Sequence, residues 1–123
     1  MPRDKVVIFS ERSEERAALE KLVLQAGLDV ETAESWELWL DTPEATPASC
    51  LVLDIASGTL DTPERITRLA AICASQRVLV LIDAGDVSTA VQAVRQGASQ
   101  VMQGSLGHRG IMRAILQLVG TPR

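Results

Sequence analysis

The chain has 123 residues, with 16 acidic and 12 basic side chains and a formal net charge of −4. That acidic balance disfavours direct binding of a nucleic-acid backbone, which depends on neutralisation by Lys and Arg. Hydrophobic residues make up 46% of the chain, enough for one domain with its own core. No apolar run reaches the roughly 18–20 residues that span a bilayer. Only Phe9, Trp36 and Trp39 are aromatic, so that core is aliphatic. The N-terminal Met1–Lys5 runs straight into a short apolar strand, unlike a secretory signal. Cys50 and Cys73 form no CxxC or Cys/His cluster and read as free, buried thiols of a reducing cytosol. The expectation is a single cytoplasmic domain over 1–123, with an ordered core of about 5–119 and 120–123 as a terminus or linker start.

Short apolar runs alternate with longer amphipathic segments, which predicts a parallel sheet covered by helices. The first run is Val6–Phe9. Ser13 is expected to cap a helix from about Glu14 to Ala26, with Ala18, Leu19, Leu22, Val23 and Ala26 in one stripe and Gly27 as its left-handed stop. Leu28–Ala33 reads as a second strand with Val30 inward. Ser35 opens a brief helix holding Trp36, Leu38, Trp39 and Leu40, a lid over the sheet, before a loop marked by Pro43 and Pro47. A third strand, Cys50–Leu53, ends at Asp54. Thr62 then caps a helix with Pro63 at its first position and Ile66, Leu69 and Ala70 inward. The fourth strand is Arg77–Ile82. After the turn Asp83–Asp86 comes a helix carrying Val87, Ala90, Val91 and Val94, ended by Gly97. Gln100–Met102 is a short fifth strand, and a last helix carries Ile111, Ala114, Ile115 and Leu118.

Strands and helices alternating in this way predict a doubly wound α/β fold with helices on both faces. In such folds, sites gather at the C-terminal ends of the strands. That directs attention to Ser10 and Glu11, to Asp54, to Ile82 and Asp83, and to Gln103–Ser105. No GxGxxG, P-loop, Ser-His-Asp triad or metal cluster appears, so no enzyme is expected.

The mid-chain Leu51-Val52-Leu53-Asp54, with Gly85-Asp86-Val87, Ala90-Val91, Ala93 and Gly97-Ala98, resembles the CheY-like receiver domain of response regulators. The likeness runs from Lys5 to about Val119 and is nearest to receivers that precede helix-turn-helix output domains. It implies a five-stranded, flavodoxin-like sheet of order 2-1-3-4-5 and a place in two-component phosphorelay signalling in a bacterial cytoplasm. It also implies a phosphoacceptor at Asp54, fed by a histidine kinase, and Mg²⁺ held by Glu11, Asp54 and the Ala56 carbonyl. Four positions depart from the pattern. Ser10 replaces a carboxylate, Ile82 a Ser or Thr, Val101 the aromatic switch residue and Gly104 the lysine.

Those departures have a physical consequence. Mg²⁺ prefers six oxygens in a near-ideal octahedron, and a neutral Ser10 hydroxyl weakens the set, so any Mg²⁺ binding is expected to be weak. Each charge-assisted hydrogen bond is worth about 1.5–3 kcal/mol, so losing the lysine and the hydroxyl removes about 3–6 kcal/mol. Turning a two-state equilibrium from 1:99 to 99:1 takes about 5.5 kcal/mol. A phosphoryl group on Asp54 would then lack the leverage of the usual switch.

Plainer roles stand beside these. Asp54 also fits a polar turn former ending a buried strand, Glu11 an acid favourable to a helix dipole, and His108 a surface residue. Three functions follow. The first is a degenerate receiver that dimerises or docks a partner independently of phosphorylation. Its contact face is the helix after the fourth strand, the fifth strand and the last helix, with Ser88, Gln92, Arg95, Gln96, Gln100, Arg109 and Arg113 making it polar and partly basic. The second is a working phosphoacceptor. The third is a small-ligand binder using a roomier, less charged pocket at the strand ends.

Overall fold

The computed structural model describes residues 4–37 and 48–120. Its strands are β1 (Lys5–Phe9), β2 (Asp29–Ala33), β3 (Cys50–Ile55), β4 (Val78–Ile82) and β5 (Gln100–Gln103). The described helices are α1 (Ser13–Gln25), α2 (Pro63–Ser75), α3 (Val87–Arg95) and α4 (His108–Gly120), with a 3-10 turn at Gly104–Leu106. All pairings are parallel and the sheet order is β2-β1-β3-β4-β5, as expected. Trp36 and Glu37 are helical, and Trp36 packs into the core; Leu38, Trp39, Leu40 and the proline loop lie outside the described residues.

The two-residue period of a strand divides the core into two layers. Val7, Phe9, Leu51, Leu53, Val78 and Val80 face α2 and α3 and pack with Leu69, Ile72 and Ala93. Val6, Ile8, Cys50, Val52, Leu79 and Leu81 face α1 and α4 and meet Leu19, Val23, Ile111, Ala114 and Ile115. Every residue of β4 is buried, which is why its sequence is a continuous Val/Leu/Ile run rather than an alternation. No described helix is long and apolar enough to cross a membrane.

Local chemistry explains most helix boundaries. Thr62 accepts a bond from the Arg65 N–H with Pro63 in the first turn, and Asp86 caps α3 by accepting from the Thr89 N–H. Gly27 and Gly97, at φ +84° and +98°, supply the left-handed residues just past α1 and α3.

Five local expectations need correction. Ser13 is the first helical residue; Arg12 holds the cap position and makes no side-chain cap bond. β3 continues through Asp54 to Ile55, so the aspartate is inside the strand rather than after it. Ala26 is exposed, and Cys73 is only half-buried. Most consequentially, α3 turns its small residues inward. Thr89 and Ala93 are buried, whereas Val87, Val91 and Val94 are 69, 42 and 63% exposed. A helix lying close to a sheet takes small residues at the contact, and the buried Thr89 hydroxyl is satisfied by donating to Asp86 Oδ2 at 2.6 Å.

Burial pushes the Cys50 thiol up to about 12 and the Cys73 thiol up to about 11, so both are protonated and unreactive at neutral pH. Leu53, fully buried at the sheet centre, should lose about 2–5 kcal/mol on truncation to alanine. Leu24→Ala, at a half-exposed site, should stay within about 0.5 kcal/mol. Urea unfolding of the two variants checks the contrast.

Candidate functional site

The β1–β3 register pairs Phe9 with Leu53, so the next residues, Ser10 and Asp54, meet where β1 runs out. Ser10 is fully buried, and its hydroxyl donates to Asp54 Oδ2 at 2.7 Å. The Ser10 oxygen also accepts from the Arg12 N–H at 3.1 Å, and its carbonyl accepts from Arg16 Nη1 at 2.7 Å. Ser10 is therefore a structural hinge of the loop, as well as the partner of the carboxylate.

Asp54 stands between two clefts. One of about 470 Å³ is lined by Glu11, Ala56, Trp36, Glu37, Arg65 and Arg12, among others. The other, about 220 Å³, is lined by Arg12, Glu15, Ile82, Asp83, Gly104 and Ser105, among others. The fold thus brings Ser10, Glu11, Asp54, Ala56, Ile82 and Gly104 to one end of the sheet. Val101 is the exception: it pairs with Val80 and packs into the core beneath α2 and α3.

The substituted positions Ile82 and Gly104 flank the smaller cleft. Ile82 is buried against the core, and nothing comes within 4 Å of where a Gly104 Cβ would stand. The cleft beside them is small for an organic ligand, since such pockets run to about 300–1,000 Å³. Its walls carry Arg12, Glu15, Asp54 and Asp83, so it is charged.

Sequence reasoning missed the strongest polar feature. Arg12 Nη2 donates to Asp83 Oδ1, a charged bond across the clefts. Asp83 Oδ2 accepts from the Ser57 N–H at 3.0 Å, and Ser57 Oγ donates to Asp86 Oδ2 at 3.0 Å. The Ser57 N–H and then the Arg12 guanidinium hold the Asp83 carboxyl below its ordinary range. Reciprocally, the Asp83 bond and then the charge of Asp54 raise the Arg12 guanidinium. Arg12 and Asp83 each stand on a strand-end loop, but they lie 71 residues apart in sequence and no local pattern pairs them. His108 is half-buried, with Nε2 3.1 Å from Glu15 Oε1, which ties the starts of α1 and α4.

The residues fit Mg²⁺ poorly. Glu11, Asp54 and Ala56 line one cleft, but they offer two carboxylates and one carbonyl, and Asp54 Oδ2 already accepts from Ser10. A fixed cation, Arg12, stands in the same wall. Among the described residues no group of three His, Cys, Asp or Glu side chains is placed to hold a metal.

A group held below its ordinary carboxyl value contributes stability above that value and loses it as pH falls through the folded one. Asp83→Asn should therefore be less stable than the wild type near neutrality. The difference should shrink as pH drops below 3.8, the ordinary value. Chemical denaturation at pH 7 and between pH 4 and 2.5 measures both ends.

No family model and no curated protein matches the sequence. Solved structures do share the fold. A response regulator receiver protein from Burkholderia phymatum is 17% identical, with 98% of each chain covered and a TM-score of 0.77. The FixJ-N structure is 22% identical over 100% of this chain and 98% of that one, with a TM-score of 0.80. A Burkholderia pseudomallei response regulator, described with a phosphorylated aspartic acid, calcium ion and citrate, is 21% identical over 96% of this chain and 67% of its own, with a TM-score of 0.72. The fold is that of response-regulator receiver domains.

Proposed function

We propose that this chain is an atypical receiver in bacterial two-component signalling, acting in the cytoplasm by docking a protein surface independently of phosphorylation. In the first instance the docked surface is a second copy of itself. The observation that carries the reading is the exposed row Val87, Val91 and Val94 on α3. The spacing i, i+4, i+7 aligns the three valines on one helix face. Leu106, in the turn after β5, is 68% exposed as well. Ser88 and Arg95, both exposed, stand beside the row on the same helix, giving an apolar centre with a polar rim, the anatomy of a reversible interface. The departures at Ile82, Val101 and Gly104 support independence from phosphate. None of the three side chains can bond a phosphoryl group on Asp54.

The test is sedimentation equilibrium of the wild type and three variants. The wild type self-associates, Asp54→Asn and Asp54→Ala associate equally well, and Val91→Asp weakens association by at least about tenfold. A monomeric wild type overturns the reading, as does an Asp54 variant that dissociates while remaining folded.

One observation favours a second reading, a phosphoacceptor fed by a histidine kinase. The Asp54 carboxylate is only half-buried and opens on both clefts, so a phosphoryl donor can reach it. Under that reading, acetyl phosphate with Mg²⁺ adds one phosphoryl group to the intact mass, and Asp54→Asn abolishes the adduct.

A further inference from the structure

At the strand ends the chain gathers carboxylates that repel one another. Asp54, Asp83 and Glu15 line one cleft, and Glu11 stands on the other cleft that Asp54 also lines. A positive charge placed among such groups offsets their mutual repulsion. Among the described residues, Arg12 is the one basic side chain that lines both clefts. The other arginine of the larger cleft, Arg65, is engaged by Glu37 at 3.2 Å and Asp61 at 3.7 Å.

We propose that Arg12 is the resident counter-ion of this acidic strand end, bound to Asp83 and facing Asp54, and that it excludes divalent cations from Asp54. A guanidinium is protonated at every physiological pH, so its charge is permanent where a bound metal ion would exchange. A divalent ion approaching Asp54 meets that fixed charge, and the two cations repel. The position is held from the far side too, because Asp83 is itself anchored by the Ser57 N–H. One carboxylate thereby joins the loops after β1, β3 and β4, and the arginine cannot leave without freeing it. The inference stands apart from the docking surface, because its readout is cation binding and not association.

The experiment is a Mn²⁺ titration of the whole chain, followed by paramagnetic broadening of the Asp54 and Ser57 amide resonances. Arg12→Gln gains selective broadening at a Mn²⁺ concentration at least about tenfold below that needed by the wild type. Arg12→Gln combined with Asp54→Asn loses the gain. Arg12→Lys, which keeps the charge, stays with the wild type. The Arg12 side chain is half-exposed, so the variants fold, and circular dichroism melts verify it. A wild type that binds Mn²⁺ as tightly as Arg12→Gln overturns the proposal, and so does Arg12→Lys behaving like Arg12→Gln.

Discussion

The parallel register of β1 against β3 brings Ser10 opposite Asp54, and the rest of the strand-end chemistry is arranged around that meeting. With Phe9 paired to Leu53, one more step along each strand leaves the covered part of the sheet. Helices pack on both faces of the central strands, so polar groups have access to water only at the ends. A carboxylate at residue 10 would stand against Asp54, and the pair would need a shared cation or a shared proton. A hydroxyl needs neither: it donates 2.7 Å to Asp54 and accepts from the Arg12 N–H. The Ser10 side chain thus turns a site of repulsion into one of hydrogen bonding, and in doing so sets the path of the loop that carries Arg12.

The outward face of α3 obeys a different constraint. α3 meets the sheet through Thr89 and Ala93, its buried residues. Val87, Val91 and Val94 are consequently forced outward, where they are solvated unless another surface covers them. Docking therefore has a basis in packing that owes nothing to the chemistry at Asp54.

Much of this was legible in the residues. Continuous apolar runs marked β1, β3 and β4 because those strands are buried on both faces, and Thr62-Pro63 announced a helix start by side-chain chemistry. The sheet end was legible as well, since Ser10, Glu11, Ile82 and Gly104 each follow or close a strand and Asp54 stands one residue before the end of β3. What escaped was whatever depends on distance in sequence. The periodicity of α3 shows an apolar stripe but not which side meets the sheet, and there the small residues won over the large. Ser13 is a good cap by type, yet the chain enters the helix one residue earlier, where Ser10 already receives the Arg12 N–H. The Arg12–Asp83 bond spans 71 residues, and no local pattern signals it.

That bond bears on how the two regions communicate. Ile82 and Val101 are packed into the core and Gly104 has no side chain, so β5 offers Asp54 no hydrogen-bonding route to the surface of α3. A different route is present. Arg12 binds Asp83, Asp83 accepts from the Ser57 N–H, the Ser57 hydroxyl donates to Asp86, and Asp86 caps α3 through Thr89. Each exposed link is worth little alone, about 0–1 kcal/mol for a surface ion pair. Their common effect is to hold the start of α3 in one position with charges the protein always carries. Under the proposed docking role, a helix anchored in this way would present Val87, Val91 and Val94 without a phosphoryl group, and the polar network at the site and the apolar row on the helix would belong to one constitutive arrangement.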